Sequence, residues 1–423
     1  MVNKYTTQAR NTRKAFAAAA LCVCVLALPA VTAPAHAEQL SWAAYNGRGV
    51  RAAYLAYIER ELPDITLAYE YIPVDYYTSE VTARLMSGTG PDLIEGGGET
   101  RLLASKGMLL DLTGQPFLER YRESGVAPFS SEGMVYAVPL QSWFEGIYYN
   151  KSIFDSYGLV PPATFEEWIG LHKTLASYGV KPQTMGAMSW EALMKQSIGV
   201  VNNEFYADHA NAGFDALFNA GEASLAEAWL PSVTLWSRMI DEGCITPDML
   251  SYGYEQALYE FATGGAAMWE SGPWSLTDIL SINPDIDLGM FPIPGASGDT
   301  GWLVGGPGSA LAINADSRHI GAALRVLEAT STHRAQQALL SGSIGESYLL
   351  GMETDFGDVF ADAAQAISLE HIYAPWTAAW TYGNPIVEAY GKALQDVLAG
   401  AKTVEDALHE ADEVNLRMRG GLP

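Results

Sequence analysis

Three features of the sequence predict a two-lobed α/β protein. Its 423 residues exceed what one ordinary hydrophobic core organises. From Ala43 onward, strand-like and helix-like patterns alternate, as in a parallel sheet with crossover helices. No Pro- or Ser-rich linker divides the chain, which fits lobes threaded together by several crossings. Hydrophobic residues make up 49% and charged residues 17%, a globular composition.

The first 37 residues fall outside this fold. Lys4, Arg10, Arg13 and Lys14 precede an apolar stretch from Ala15 to about Ala30, and Ala35-His36-Ala37 follows as a small-x-small cleavage site. That order is a secretory signal peptide, too short in its apolar part for a membrane span. Cys22 and Cys24 lack the Leu and small residues of a lipoprotein cleavage box, so the expected product is a soluble protein starting near Glu38. Cys244 is then the one remaining cysteine, and no intrachain disulfide is possible. With no His near it in sequence, it reads as a small packed residue rather than a nucleophile.

The elements follow in order. "GVRAAYLAYIEREL" puts Val50, Tyr54, Tyr57, Ile58 and Leu62 on one helical face. "ITLAYEY" alternates as a strand, with Ile65, Leu67, Tyr69 and Tyr71 on one side. A helix over 75–87 carries Tyr77, Val81 and Leu85 in register until "GTGPD" breaks it. "DLIEG" is a short buried strand, and a helix from Glu99 to about Lys106 stops at Gly107. Beyond "YAVPL", Thr164 to Glu167 form a capping box ahead of Trp168, Leu171 and Leu175. Residues 200–270 read as largely helical. "DLGMFPIPG" and "GSALAIN" are strand-like, "SRHIGAALRVLEATST" is an amphipathic helix, and Thr403 caps a last helix. Crossings between lobes are expected around 138–140, 301–306 and within 340–370.

Composition narrows the function. Leaving out the leader's four basic residues takes the formal charge from −25 to −29, a field that repels nucleic acid and phosphate-rich surfaces. The same sign argues against polyanionic ligands such as uronate oligomers, and its cause reads as adaptation for solubility. There is no G-x-S-x-G, H-E-x-x-H, Walker or G-x-G-x-x-G motif, and no His pairs with His or Cys at metal-ligand spacing. Neither cofactor nor metal is called for. The Gly-rich segments 95–100 and 305–309 lack a phosphate-binding Lys and read as turns where the backbone approaches another segment closely. Eleven Trp and 22 Tyr are the positive signal, because sugar rings stack their C–H faces on aromatic rings while their hydroxyls need polar partners. Trp168, Trp229 and Trp236 lie in helical patterns and read as core. Trp143, Trp190, Trp274, Trp302 and Trp376 sit beside turns and are candidates for stacking on a ligand.

Six segments, in order, resemble the family 1 extracellular solute-binding proteins of ABC importers. They are "LMSGTGPDLIEGGGETRLLASKGMLLDLT", "GMVYAVPLQSWFEGIYYNKSIFDSYGLVPPATFEEW", "YEFATGGAAMWESGPWSL", "DLGMFPIPG", "GGPGSALAIN" and "LAGAKTVEDAL". The resemblance implies a fold like the type II periplasmic-binding proteins: two α/β lobes, joined by hinge strands, with a ligand cleft between them. It implies lobe 1 from 38–139 and 304–352, and lobe 2 from 140–303 and 353–423. Carried over residue by residue, Trp274 matches a ring that stacks on sugar. Trp143 lies at the crossover contact, Glu99 near a first-lobe polar contact, Trp190 in a second-lobe segment facing the cleft, and Asn46 and Arg48 in a polar first-lobe loop. The chain departs from the family's maltose-binding members. Gly96 to Gly98 replace an aromatic residue, and Val387 and Gly391 stand where a Trp–Arg pair is usual, with Trp376 and Trp380 as substitutes. The implied function is periplasmic: a monomeric, non-enzymatic receptor that takes a neutral mono- or oligosaccharide to the permease subunits of an ABC importer. Two alternatives remain, a polyol or cationic ligand such as a polyamine in the same fold, and a secreted carbohydrate-active enzyme.

Overall fold

The computed structural model describes residues 37–342 and 345–420. The expected leader lies outside the described residues except for Ala37.

Three strands open the first lobe. Glu38–Ala44 lies between Ile65–Tyr71 and Leu93–Gly96 and runs parallel to both. Parallel neighbours need a crossover, here the helices Ala52–Glu61 and Val74–Met86. The first of these buries Tyr54, Leu55, Tyr57 and Ile58. Tyr77, Val81 and Leu85 of the second are buried as their spacing predicts. Leu93–Gly96 is covered on both faces, as a central parallel strand must be. Ile65–Tyr71 departs from the expected one-sided burial. Ile65 and Leu67 are buried but Tyr71 is 53% exposed, because this is the edge strand and its far end outruns its cover.

Two long strands join this sheet to the second lobe. Residues 137–145 of the strand Ala137–Asn150 pair antiparallel with Leu303–Ile313, whose far half pairs with Leu93–Gly96. Residues 146–150 pair instead with Met268–Ser271 and Leu288–Phe291. One 14-residue strand thus serves both lobes, spanning roughly 46 Å at the usual rise. The Gly-rich segment 305–309 is not a turn, as its composition suggested. It is the middle of the second long strand, irregular in register between Pro307 and Ala310. Its expected close approach is real: a Cβ on Gly305 would fall 2.1 Å from the Trp143 carbonyl oxygen. The described part of 340–370 contains no strand; the chain there passes irregularly into a 3-10 turn, Asp358–Ala363.

The side chains divide into cores on either side of this crossing. Trp42, Tyr54, Ile58, Val138, Leu311 and Leu339 pack together, and Tyr77, Val81, Leu103 and Ala310 fill the other face of the same sheet. Beyond the crossing, Ile147 packs with the helix Phe165–Ser177, which Thr164 and Glu167 cap reciprocally. Trp168, Trp229 and Trp236 lie fully buried in that core. The helices Gly383–Leu398 and Val404–Arg419 complete it, the latter capped by Thr403 and Asp406. Phe144, Tyr148, Phe261, Met290 and Phe360 form a neighbouring cluster. Cys244 is buried, and burial pushes its thiol up to about 11, out of nucleophile range.

Candidate ligand-binding site

A cleft of about 1460 Å³ draws its walls from both lobes, larger than the roughly 300–1000 Å³ usual for drug-sized ligands. The first-lobe wall is the outer face of the helix Val74–Met86. Tyr77, Val81 and Leu85 occupy its inner face, which leaves Thr78, Thr82 and Met86, spaced one turn apart, and Ser79 towards the cleft. Tyr45 continues this wall. Its ring packs edge-on against Tyr77 at 5.2 Å and its hydroxyl donates to the Gly308 carbonyl at 3.2 Å.

The second-lobe wall centres on Trp143, in the shared long strand. Its ring centroid lies 6.4 Å from that of Trp274 and 5.8 Å from that of Trp376, with planes tilted by 45° and 60°. The three rings form an arc. Trp274 stands on a 3-10 turn, Pro273–Ser275, and is 44% exposed. Its ring folds over Gly272, where any Cβ would meet it at 2.1 Å. Trp376 is buried apart from the edge it presents. Trp190 begins the helix Trp190–Val201, which Ser189 caps, and so borders the cleft from above Glu191 and Lys195.

Charged groups lie beside the rings. Lys195 donates to Glu145 at 2.7 Å and to Glu191, one turn away, at 2.8 Å, and its ammonium lies 5.6 Å from the Trp143 ring centroid. Burial works against that ammonium, but the two carboxylates outweigh it and hold its pKa above the ordinary lysine value. Burial raises the Glu145 pKa, with Lys195 opposing. At Glu270 the Lys195 charge again opposes burial, but the balance lies the other way. Burial first, and the Glu145 charge second, push its carboxyl well above the ordinary range. Aromatic rings flanked by hydroxyls, carboxyls and an amide (Asn384) make a surface suited to stacking and hydrogen-bonding an uncharged polyhydroxylated molecule. Among the described residues no group of His, Cys, Asp and Glu is placed to hold a metal ion.

A family model described as bacterial extracellular solute-binding protein matches residues 45–337. The chain belongs to that family. Among relatives, the "Multiple sugar-binding protein" of Streptococcus mutans is 26% identical over 283 residues, covering 66% of this chain and 67% of that one. The apo form of RafE from Streptococcus pneumoniae superposes with a TM-score of 0.74 at 19% identity, covering 92% of this chain and 99% of that one. A sugar transporter structure from Bacillus licheniformis, in complex with stachyose, gives 0.68 at 18% identity, covering 89% and 98%. These neighbours share the two-lobed α/β architecture with a cleft between the lobes. As an extracellular solute-binding protein, this one is exported.

In this solute-binding protein, four of the eight residues singled out from sequence, Trp143, Trp190, Trp274 and Trp376, border the cleft, and four do not. Asn46 turns inward and donates to Glu95 at 2.5 Å. Arg48 is exposed, and the buried cation of that loop is Arg51, which pairs with Glu95 and donates to Gln141 at 2.8 Å and Ser309 at 3.0 Å. Glu99 bends back to accept from its own loop at the Gly97 amide, 2.9 Å, leaving Tyr45 in front of it. Trp302 lines a separate cavity of about 450 Å³ and stacks on His371 at 4.7 Å. Side chains that the aromatic argument passed over had legible signals. Thr78, Thr82 and Met86 form a stripe at helical spacing, Glu191 and Lys195 are an i,i+4 pair, and Glu145 is a lone acid in an apolar strand.

Proposed function

We propose that this protein captures a neutral mono- or oligosaccharide and delivers it to the permease subunits of an ABC importer, binding the sugar without cleaving it. The arc of Trp274, Trp143 and Trp376, set against hydroxyls and carboxyls in an inter-lobe cleft, carries this reading. The stachyose complex and the sugar-binding relative support it by analogy. The lobes are taken as 38–139 with 304–352, and 140–303 with 353–423; the core clusters change sides between Leu140 and Phe144 and between Val304 and Ala310. The protein acts as a periplasmic monomer, without nucleic acid, after a leader of the non-lipoprotein type is removed past Ala37.

One experiment addresses these points together. Protein exported with its own leader, its mass checked for a start at Glu38, is screened by thermal shift against mono- and oligosaccharides, polyols and polyamines. A sugar at 100 times its Kd stabilises the fold by about 2.7 kcal/mol. Chromatography after long incubation should return the saccharide unchanged. A response to polyamines alone, or products of cleavage, overturns the reading.

A further inference from the structure

Glu270 sits on the strand Met268–Ser271, directly across from Ile147, so it shares a face with Glu145, two residues away on the neighbouring strand. Both residues line the cleft. The cation beside them, Lys195, is already engaged by Glu145 and Glu191. Both carboxyl oxygens of Glu270 are buried, and neither makes a hydrogen bond to any described residue. An ionised carboxylate in that position carries a large desolvation cost. The cost disappears if the group keeps its proton.

We propose that Glu270 meets the ligand as a carboxylic acid, donating its O–H to a sugar oxygen while neighbouring Glu145 accepts from a sugar hydroxyl, so that capture is linked to one proton. The inference rests on the saccharide reading above. A sugar hydroxyl both donates and accepts, and a neutral acid beside an ionised one offers the matching pair. Burial and the Glu145 charge favour the protonated form of Glu270, and Lys195 opposes them; the adjacent Gln196, whose Oε1 accepts from Trp236 while its Nε2 is left without a partner, also favours the ionised form. The other titratable groups that face this corner are Glu191 on the helix Trp190–Val201, Glu388 with its partner Lys392, and Tyr254 on the helix Tyr254–Ala262. All but Tyr254 already have an opposite charge, so Glu270 is the group on which a proton-linked change in affinity should centre.

The sign follows from linkage. Below the pKa of Glu270 in the free protein, affinity does not depend on its titration. Above it, each pH unit costs about tenfold in Kd, because ionisation must be reversed to bind. The experiment is isothermal titration calorimetry of the saccharide identified in the thermal screen, from acid to alkaline pH, with circular dichroism at each pH to confirm the fold. The parent should lose affinity in the alkaline arm and take up a proton on binding there. Glu270→Gln, which keeps an N–H donor at every pH, should bind within a few-fold of the parent at neutral pH and lose the alkaline fall. Glu270→Ala should bind at least tenfold more weakly throughout. A pH-independent Kd in the folded parent, or an unchanged alkaline fall in Glu270→Gln, overturns the inference while leaving sugar binding intact. If no saccharide binds at any pH, the saccharide reading falls and this inference falls with it.

Discussion

Trp274 shows what a single residue can and cannot reveal. Its ring is the most open of the arc, lies over a glycine and belongs to no core cluster. Trp274→Ala should therefore leave the fold and its melting temperature in the absence of ligand nearly unchanged, and weaken saccharide binding by about 1–3 kcal/mol, the worth of one buried aromatic contact. Calorimetric titration measures this, and a variant that binds as tightly as the parent would remove Trp274 from the site. The ring was legible in the sequence because "SGPW" places a Trp on a turn, off any periodic face. Trp302 carried the same local signal and faces another cavity. Which side of a strand a turn-adjacent ring ends on depends on stacking with His371, a contact distant enough in the chain to leave no local trace. Arg48 and Arg51 make the same point. Both are basic residues of one loop, and only the fold determines that Arg51 meets Glu95, Gln141 and Ser309 in the interior.

At the scale of elements, periodicity carried most of the reading. Helices with a clear apolar stripe and a capping box appear where the spacing puts them, because local hydrogen bonding and one-sided burial both act within a few residues. The glycine-rich stretch near Gly305 is different. Glycine marks a turn and a crowded strand alike, and the crowding comes from Trp143, more than 150 residues away. That distinction is measurable. In Gly305→Ala the new methyl group meets the Trp143 carbonyl oxygen and the Phe144 backbone, at 2.1 and 2.7 Å. Urea unfolding should show a loss of about 1–3 kcal/mol, the scale of an overpacked interior. Gly170→Ala, on the exposed face of the helix Phe165–Ser177 with nothing within 4 Å, should instead gain about 0.5–1 kcal/mol from helix propensity. Equal effects at the two positions would mean that the long strands separate easily and that the crossing is not tightly packed.

The whole molecule is two lobes sharing a pair of long strands, with further links between them. Arg101, on the helix Thr100–Ser105, donates to the carbonyls of Ala127 and Pro128 in its own lobe and to those of Ala378 and Ala379 in the other. Arg122 joins Glu346 to Glu370. Such connections allow bending about the crossing but not independent tumbling, and a ligand gripped by both walls stabilises the state in which the walls are closest. Small-angle scattering should therefore show a smaller radius of gyration with saturating saccharide than without. An identical profile, with binding confirmed, would indicate a preformed rigid site. The long strands also set the order in which the chain can fold. Leu93–Gly96 is flanked on one side by Glu38–Ala44, made just before it, and on the other by Leu303–Ile313, whose Ala310 pairs with Gly96. At ordinary rates of about 5–20 residues per second, the ribosome needs at least ten seconds to supply that second neighbour. Until then the first hundred residues lack the partner that closes their sheet, and pairing across so long a stretch of chain is slow even afterwards. In an exported protein, this delay leaves the leading segment without a closed sheet while the rest of the chain is still being made.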